Sequence, residues 1–151
     1  MIRVDAAGAI AKIGLLRASL EKLARVPRRT AVIAAPLIDK EIKAEFDAGR
    51  DPYGKPWADL RPATLARGRR PPPLTDSRDL RDNTKAIVLS GGRAGIHVVI
   101  GAAYGYFAQV GFRVGKTRVP PRRILPAFGL PKAWLDILAD SAERAAREAM
   151  K

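Results

Sequence analysis

Apolar residues recur at helical spacing near the start of the chain, with charged residues on the other faces. The repeating positions are Ile10, Ile13, Leu16, Leu20 and Leu23. This spacing predicts an amphipathic helix from Asp5 to Arg25, with Asp5 as its N-cap and Pro27 ending it.

A second apolar stripe predicts a helix from Thr30 to Ala48. It would bury Ala31, Ala35, Ile38, Ile42 and Phe46. Pro36 lies inside this pattern and predicts a kink or a later start, because proline has no N–H for the helix. Gly49 follows and is suited to a left-handed C-cap.

The periodicity changes after Lys85. Two short apolar runs, 86–89 and 96–100, flank a glycine-rich turn and predict a β-hairpin. Alternation places Ile96, Val98 and Ile100 on one face and His97 on the other. One or two helical turns are expected over 104–111, followed by a basic connection over 113–118.

A last helix is predicted to begin near Pro131, which suits a first helical turn. Its apolar face contains Trp134, Leu138, Ala145 and Ala149. The pattern predicts a single α+β domain over 1–151: N-terminal helices (1–49), an extended basic loop region (50–84), a small antiparallel hairpin with the following segment (85–126), and a C-terminal helix (127–151). The clustered arginines and prolines of 61–79 favour an extended or mobile surface segment.

The charge adds a constraint on partners. The chain has 28 basic and 15 acidic residues, a net charge of +13, and residues 50–123 alone carry 15 basic against five acidic. A basic middle favours an anionic neighbour, such as nucleic acid, an acidic protein or a membrane surface. The alternative is a highly charged surface that serves solubility alone.

The residue inventory argues against catalysis. There is no cysteine and only one histidine, His97, so disulfides, thiolate metal sites and multi-histidine zinc sites are excluded. Asp76, Asp79 and Asp82 are spaced three apart, but Arg78 and Arg81 lie between them, which favours a solvated turn over a metal site. We find no catalytic motif and expect neither an enzyme nor a cofactor. The chain also has no apolar run of membrane-spanning length.

The most informative stretch follows the second helix. Asp51-Pro52-Tyr53-Gly54 has the residue types of a tight turn. Pro56 then restricts the backbone before Trp57, a large side chain that must be buried.

Four segments together resemble the phage virion-morphogenesis family, the tail-completion proteins of Mu-like and related tailed phages. They match in order and spacing over residues 46–126: DPYGKPWADL at 51–60, LTDSRDLR at 74–81, YGYFAQVG at 104–111 and VPPRRIL at 119–125. Several positions depart from the family pattern. Ser77-Arg78 stands where the family has Thr-Gly and a tight glycine turn, Ala108 replaces a histidine, and Ile124 replaces an aromatic residue.

The resemblance implies a structural, non-catalytic protein of the phage neck that completes the tail and joins head to tail. It would form a ring, of which a hexamer is one form, around the DNA channel of the virion, after assembly in the host bacterial cytoplasm. Its partners would be copies of itself, neighbouring neck and tail-terminator proteins, and either packaged DNA or acidic proteins, with no membrane.

Two sets of site residues follow from this interpretation. Subunit or partner contacts are assigned to Asp51, Pro52, Gly54, Pro56, Trp57, Tyr104, Phe107, Gln109, Gly111, Pro121 and Arg122. Basic side chains facing DNA or an acidic partner are Arg67, Arg69, Arg70, Arg113, Lys116, Arg118 and Arg123. Arg122, which ends a rigid Val-Pro-Pro-Arg stretch, is expected to donate to a carboxylate or to backbone carbonyls.

Two other interpretations remain open. A small nucleic-acid-binding protein fits the charge, although the basic residues cluster in loops and no RRM, KH or helix-turn-helix pattern is present. A small basic enzyme would have to depend on His97 with Tyr104 or Arg122.

Overall fold

A computed structural model describes residues 6–75 and 77–151. Its elements are α1 (Ala6–Ala24), α2 (Val26–Ala48), α3 (Pro62–Leu65), α4 (Asp79–Asn83), β1 (Thr84–Val88), β2 (Ile96–Ile100), α5 (Gly105–Val110), β3 (Phe112–Val114), β4 (Thr117–Val119) and α6 (Lys132–Ala149). The chain is therefore α+β, as predicted. The proposed N-cap Asp5 lies outside the described residues.

Both predicted N-terminal helices form, but the second begins earlier than expected. Arg25 lies between them and is itself in the right-handed helical conformation. Pro27 occupies the first turn of α2, where its missing N–H has no consequence. The helix continues through Pro36, so the later start is wrong. At its end Gly49 adopts the left-handed conformation, and its N–H caps the helix.

The core forms where α2, α6 and the β1–β2 hairpin pack together. Ile42 and Phe46 of α2 are buried with Leu80, Ile124 and Trp134. At about 2 kcal/mol for each buried side chain, these five together contribute on the order of 10 kcal/mol of favourable burial free energy. The predicted buried positions of α2 are confirmed.

The predicted hairpin is confirmed with the expected alternation. β1 and β2 pair antiparallel, with Ala86 opposite Val98. Ile96, Val98 and Ile100 pack against the core, whereas His97 is exposed. Asp39 of α2 accepts a hydrogen bond from the Ala86 N–H at 3.2 Å, which fixes the hairpin on the helix.

The segment between α2 and β1 departs from the expected extended loop. It contains the short helices α3 and α4, and Pro73 is buried. Pro72 lies so close to Gly49 that a Cβ there would be 2.8 Å from the Pro72 Cβ. The proline run therefore packs against the end of α2.

A second hairpin was not predicted. β3 and β4 pair antiparallel, where a basic connection was expected. All residues of β3 are exposed. Apolar residues alternate with Arg113 and Arg118, but each strand has only three residues, too few for alternation to identify a strand from the sequence.

Candidate assembly surface

The predicted tight turn at 51–54 forms, and Asp51 organises it. The Gly54 N–H donates to the Asp51 carbonyl at 2.9 Å. The Asp51 carboxylate accepts from the N–H groups of Tyr53 at 3.0 Å and Lys55 at 2.8 Å. These bonds satisfy backbone donors that a short loop would otherwise leave unpaired, which explains a buried carboxylate at this position.

Trp57 lies in the core directly after this turn. Its ring packs edge-on against Phe46, with centroids 5.4 Å apart. Its indole Nε1 donates to the Arg123 carbonyl at 2.9 Å. Trp57 therefore ties the turn to a segment that lies 66 residues later in the chain.

Arg122 makes a second tie between the same two segments. Its Nε donates to the Ala58 carbonyl at 3.1 Å, and one terminal nitrogen donates to the Asp59 carbonyl at 3.2 Å. This confirms the expected role as a donor to backbone carbonyls. Burial lowers the pKa of Arg122 below its usual value, and the Asp59 carboxylate offsets part of this effect.

Gln109 of α5 holds the same late segment from the other side. Its Oε1 accepts from the N–H groups of Ile124 at 2.7 Å and Leu125 at 2.9 Å, and its Nε2 donates to the Leu125 carbonyl at 2.9 Å. Gly111 then lets the backbones approach, because a Cβ there would lie 2.8 Å from the Val119 carbonyl oxygen.

Three of the four motif segments thus meet at one place. We call this place the motif junction: residues 57–59, 109–111 and 122–125. It is held by hydrogen bonds from backbone carbonyls and N–H groups to the side chains of Trp57, Gln109 and Arg122.

The fourth motif segment, 74–81, lies beside the junction. Leu80 is fully buried, and Arg81 forms a bidentate ion pair with Asp47 at 2.8 and 2.9 Å. Arg78, which stands where the family has glycine, adopts the left-handed conformation with φ +56°. The tight turn is therefore kept without the glycine. Asp76 lies outside the described residues.

An exposed aromatic patch covers one side of the junction. Tyr106 packs against Phe107 with ring centroids 5.8 Å apart, and Phe107 packs against Phe112 at 6.0 Å. With Val110 and Val114, all five side chains are exposed. We define these five as the aromatic patch. A contiguous apolar surface of this kind is typical of protein contact sites.

Basic residues also lie on the β3–β4 hairpin, where Arg113 and Arg118 project from the face opposite Phe112 and Val114. Arg113 and Arg118 are direct cross-strand partners, an unfavourable like-charge pair. Lys116 lies in the turn between them, and Arg61 donates to the Arg118 carbonyl at 2.8 Å.

The other predicted basic residues occupy two places. Arg67, Arg69 and Arg70 are exposed after α3, and a cleft of about 480 Å³ lies between this loop, Tyr104 and Arg122. Arg123 is half-buried, with its guanidinium 5.2 Å from the centre of the Phe128 ring.

The predicted contact residues separate into two groups. Buried or half-buried within the chain are Asp51, Pro52, Trp57, Gln109, Gly111 and Arg122; exposed are Gly54, Pro56, Tyr104, Phe107 and Pro121. The first group therefore supports the surface from inside the chain. The sequence analysis missed Tyr106, Val110, Phe112 and Val114. Their apolar side chains are the only sequence feature that could have marked them, because they lie in short segments without a large buried apolar side chain.

Glu45 has a strongly perturbed pKa. Its carboxylate accepts from the Trp134 indole Nε1 at 3.2 Å and is buried. Burial raises its pKa from 4.5 to about 7, while the Trp134 hydrogen bond opposes this rise. Its neighbours are Glu41, Arg50 and Asp51, without a histidine.

Within residues 6–75 and 77–151, no three histidine, aspartate or glutamate side chains come together as metal ligands. His97 is exposed on β2. No helix of the described residues is long and apolar enough to cross a membrane.

Comparison with known proteins identifies no relative of this chain. No family description, no curated protein and no solved structure matches it.

Proposed function

We propose that this chain is a structural subunit of a tailed-phage neck that completes the tail and joins it to the head. The observation that carries the proposal is the motif junction. Segments that resemble the virion-morphogenesis family in sequence are far apart along the chain, yet they are joined through Trp57, Gln109 and Arg122. The hydrogen bonds between these segments give a structural reason for the presence of these motifs in one chain.

In this proposal the exposed surface over the junction makes the assembly contacts. The aromatic patch supplies apolar area, and Tyr104 and Pro121 extend it. The Arg113–Arg118 pair would be stabilised by an anionic neighbour, either DNA phosphates in the channel of a ring or an acidic face of a neighbouring neck protein.

Disruption of the gene in the genome that encodes this chain tests the proposal. We expect filled heads and separate tails in electron micrographs of the lysate, and normal virions when the wild-type chain is supplied from a plasmid. Supplying Trp57→Ala would leave heads and tails separate, because the junction loses its central anchor. Normal virions without any supplied chain would refute the proposal.

A second candidate function is nucleic-acid binding by the free chain, which the exposed basic hairpin favours. If it is correct, affinity for any DNA falls steeply with salt. Replacing Arg113, Lys116 and Arg118 by alanine would then reduce the slope of log K against log salt by about three. The matched control replaces Lys132, Arg144 and Arg147, which changes the net charge equally but on α6. Equal slopes for both triple variants would exclude the hairpin as the binding site.

A further inference from the structure

Helix α1 has an apolar face that none of the described residues covers. Every side chain from Ile10 to Arg25 is exposed, and the large apolar ones of α1 are between 45% and 71% exposed. We define the seam as Ile10, Ile13, Leu16, Leu20 and Leu23, which fall on one face at 100° per residue. Leu15 lies on the other side of the helix.

The seam is large enough to drive association. Covering the exposed part of its five side chains would remove on the order of 350 Å² of apolar surface from water. A standard protein interface buries about 800 Å² on each partner, of which somewhat more than half is apolar. The seam alone thus supplies most of the apolar surface of one partner.

The same chain carries an apolar groove without an occupant among the described residues. It has a volume of about 490 Å³ and lies between α2, α6 and the β1–β2 hairpin. Its lining includes Ala31, Ile96, Val98, Leu138 and Ala142, and no charged side chain lines it. A helix could enter it without burying an unpaired charge.

The groove cannot receive α1 of its own chain. Val26 and Pro27, the first residues of α2, form one end of its lining. Arg25 is helical, and the Arg29 N–H donates to the Arg25 carbonyl at 3.1 Å. Because the backbone stays helical across this junction, α1 leads away from the groove, and a reversal would need a non-helical residue there.

Charge distinguishes the groove from a second α1 helix. Lys12 and Arg17 flank the seam on opposite sides, so two α1 helices side by side in parallel would bring like charges together. Arg17 is also paired with Glu21 of its own helix at 3.1 Å. The groove lining is uncharged and has no such cost.

We propose that the α1 seam of one copy packs into the α2–α6 groove of a second copy. Such a contact joins two different surfaces, so its repetition builds a closed ring or an open filament. Placed in a neck ring it would be the contact between subunits, and to that extent it rests on the proposed function.

Introduced cysteines test this contact directly, since the chain has none of its own. Chains carrying Leu16→Cys, Leu20→Cys or Leu23→Cys are each mixed with chains carrying Ala142→Cys and mildly oxidised. We expect at least one mixture to form about tenfold more disulfide-linked dimer than either of its variants alone. The control mixes Leu15→Cys with Ala142→Cys and should give only background.

Light scattering on the uncrosslinked full-length chain gives a second measurement. Leu16→Lys with Leu20→Lys should weaken self-association about 100-fold, because two charges enter an apolar groove, while Leu15→Lys leaves it unchanged. Circular dichroism checks that all variants keep their helices.

Three results would overturn the proposal: a monomeric wild-type chain at high concentration, equal linkage when a seam-cysteine chain is oxidised alone, or seam variants that associate like the wild type. Equal linkage alone would indicate α1–α1 pairing instead. These outcomes are independent of the gene-disruption result. If the cysteines cross-link but virions are normal after gene disruption, this contact is supported and the neck function is refuted. If they do not cross-link but heads and tails stay separate after gene disruption, the neck function is supported and this contact is refuted.

Discussion

Arg78 shows how a single residue can be retained at a backbone position that suits glycine. Its φ of +56° places its Cβ against the neighbouring backbone, which costs about 1 kcal/mol or more for residues other than glycine. Substitution by glycine removes this cost, but part of the resulting stabilisation is lost because glycine makes the unfolded chain more flexible. We expect Arg78→Gly to raise the free energy of unfolding by about 0.5–1 kcal/mol in urea denaturation.

Arg78→Ala is the matched control, since it removes the guanidinium but keeps the Cβ. If Arg78→Ala stabilises the chain as much as Arg78→Gly, the side chain and not the left-handed backbone is the source of the cost. The Arg78 N–H donates to the Thr75 carbonyl at 3.2 Å, so the chain turns here without the glycine of the family pattern.

Glu45 makes stability depend on pH in the direction opposite to most acids. Its pKa is about 7 in the folded chain against 4.5 unfolded, so the folded state binds more protons between these values. Stability from this group is therefore present below about pH 4.5 and is lost as the pH rises through about 7. Its magnitude is on the order of 1–2 kcal/mol after allowance for solvent screening.

Glu45→Gln keeps the acceptor for Trp134 and cannot ionise. We expect this variant to be more stable than the wild type near about pH 8 by this amount, and equally stable near about pH 4, below the unfolded pKa of 4.5, in urea unfolding at both values. An equal difference between the two chains at both pH values would contradict a raised pKa.

At the level of elements, Gln109 carries the attachment of 122–125 to α5. Replacing it by methionine keeps the length of the side chain but leaves the N–H groups of Ile124 and Leu125 without their acceptor. We expect Gln109→Met to lower the free energy of unfolding by about 2–4 kcal/mol, measured by urea denaturation.

Gln109→Glu keeps the acceptor and loses only the bond to the Leu125 carbonyl, so its loss should be smaller. If Gln109→Met and Gln109→Glu both had the free energy of unfolding of the wild type, the segment 122–125 would be held by Trp57 and Arg122 alone.

Elements with an apolar face turned to the core could be predicted from the sequence, and those without one could not. In α2, α6 and β2 the apolar positions of the sequence pattern are the ones that pack toward the core. The β3–β4 hairpin has exposed residues on both faces, and its pairing depends on backbone bonds that no side-chain pattern records. The 61–79 segment was misjudged for a related reason: its prolines gain order from contact with Gly49, which is distant in sequence.

For the whole molecule, the residue types of the site could be predicted but their arrangement could not. The order of the four motifs is a sequence property, whereas the junction consists of side-chain bonds between residues 15 to 66 positions apart. The apolar pattern of α1 was visible in the sequence, but the structure is needed to see that its seam is exposed and that no residue within 6–75 or 77–151 covers it. The structure also reveals the uncharged groove.

The location of this chain in virions tests the central claim most directly. Cryo-electron microscopy of particles from the genome that encodes it should show, at the head–tail junction, a ring of subunits into whose density this fold fits. The β3–β4 hairpin should then face either the DNA channel or an acidic neighbour. Intact particles in which this chain is absent would contradict the account, and the basic hairpin would then be better explained by a nucleic-acid partner in the cell.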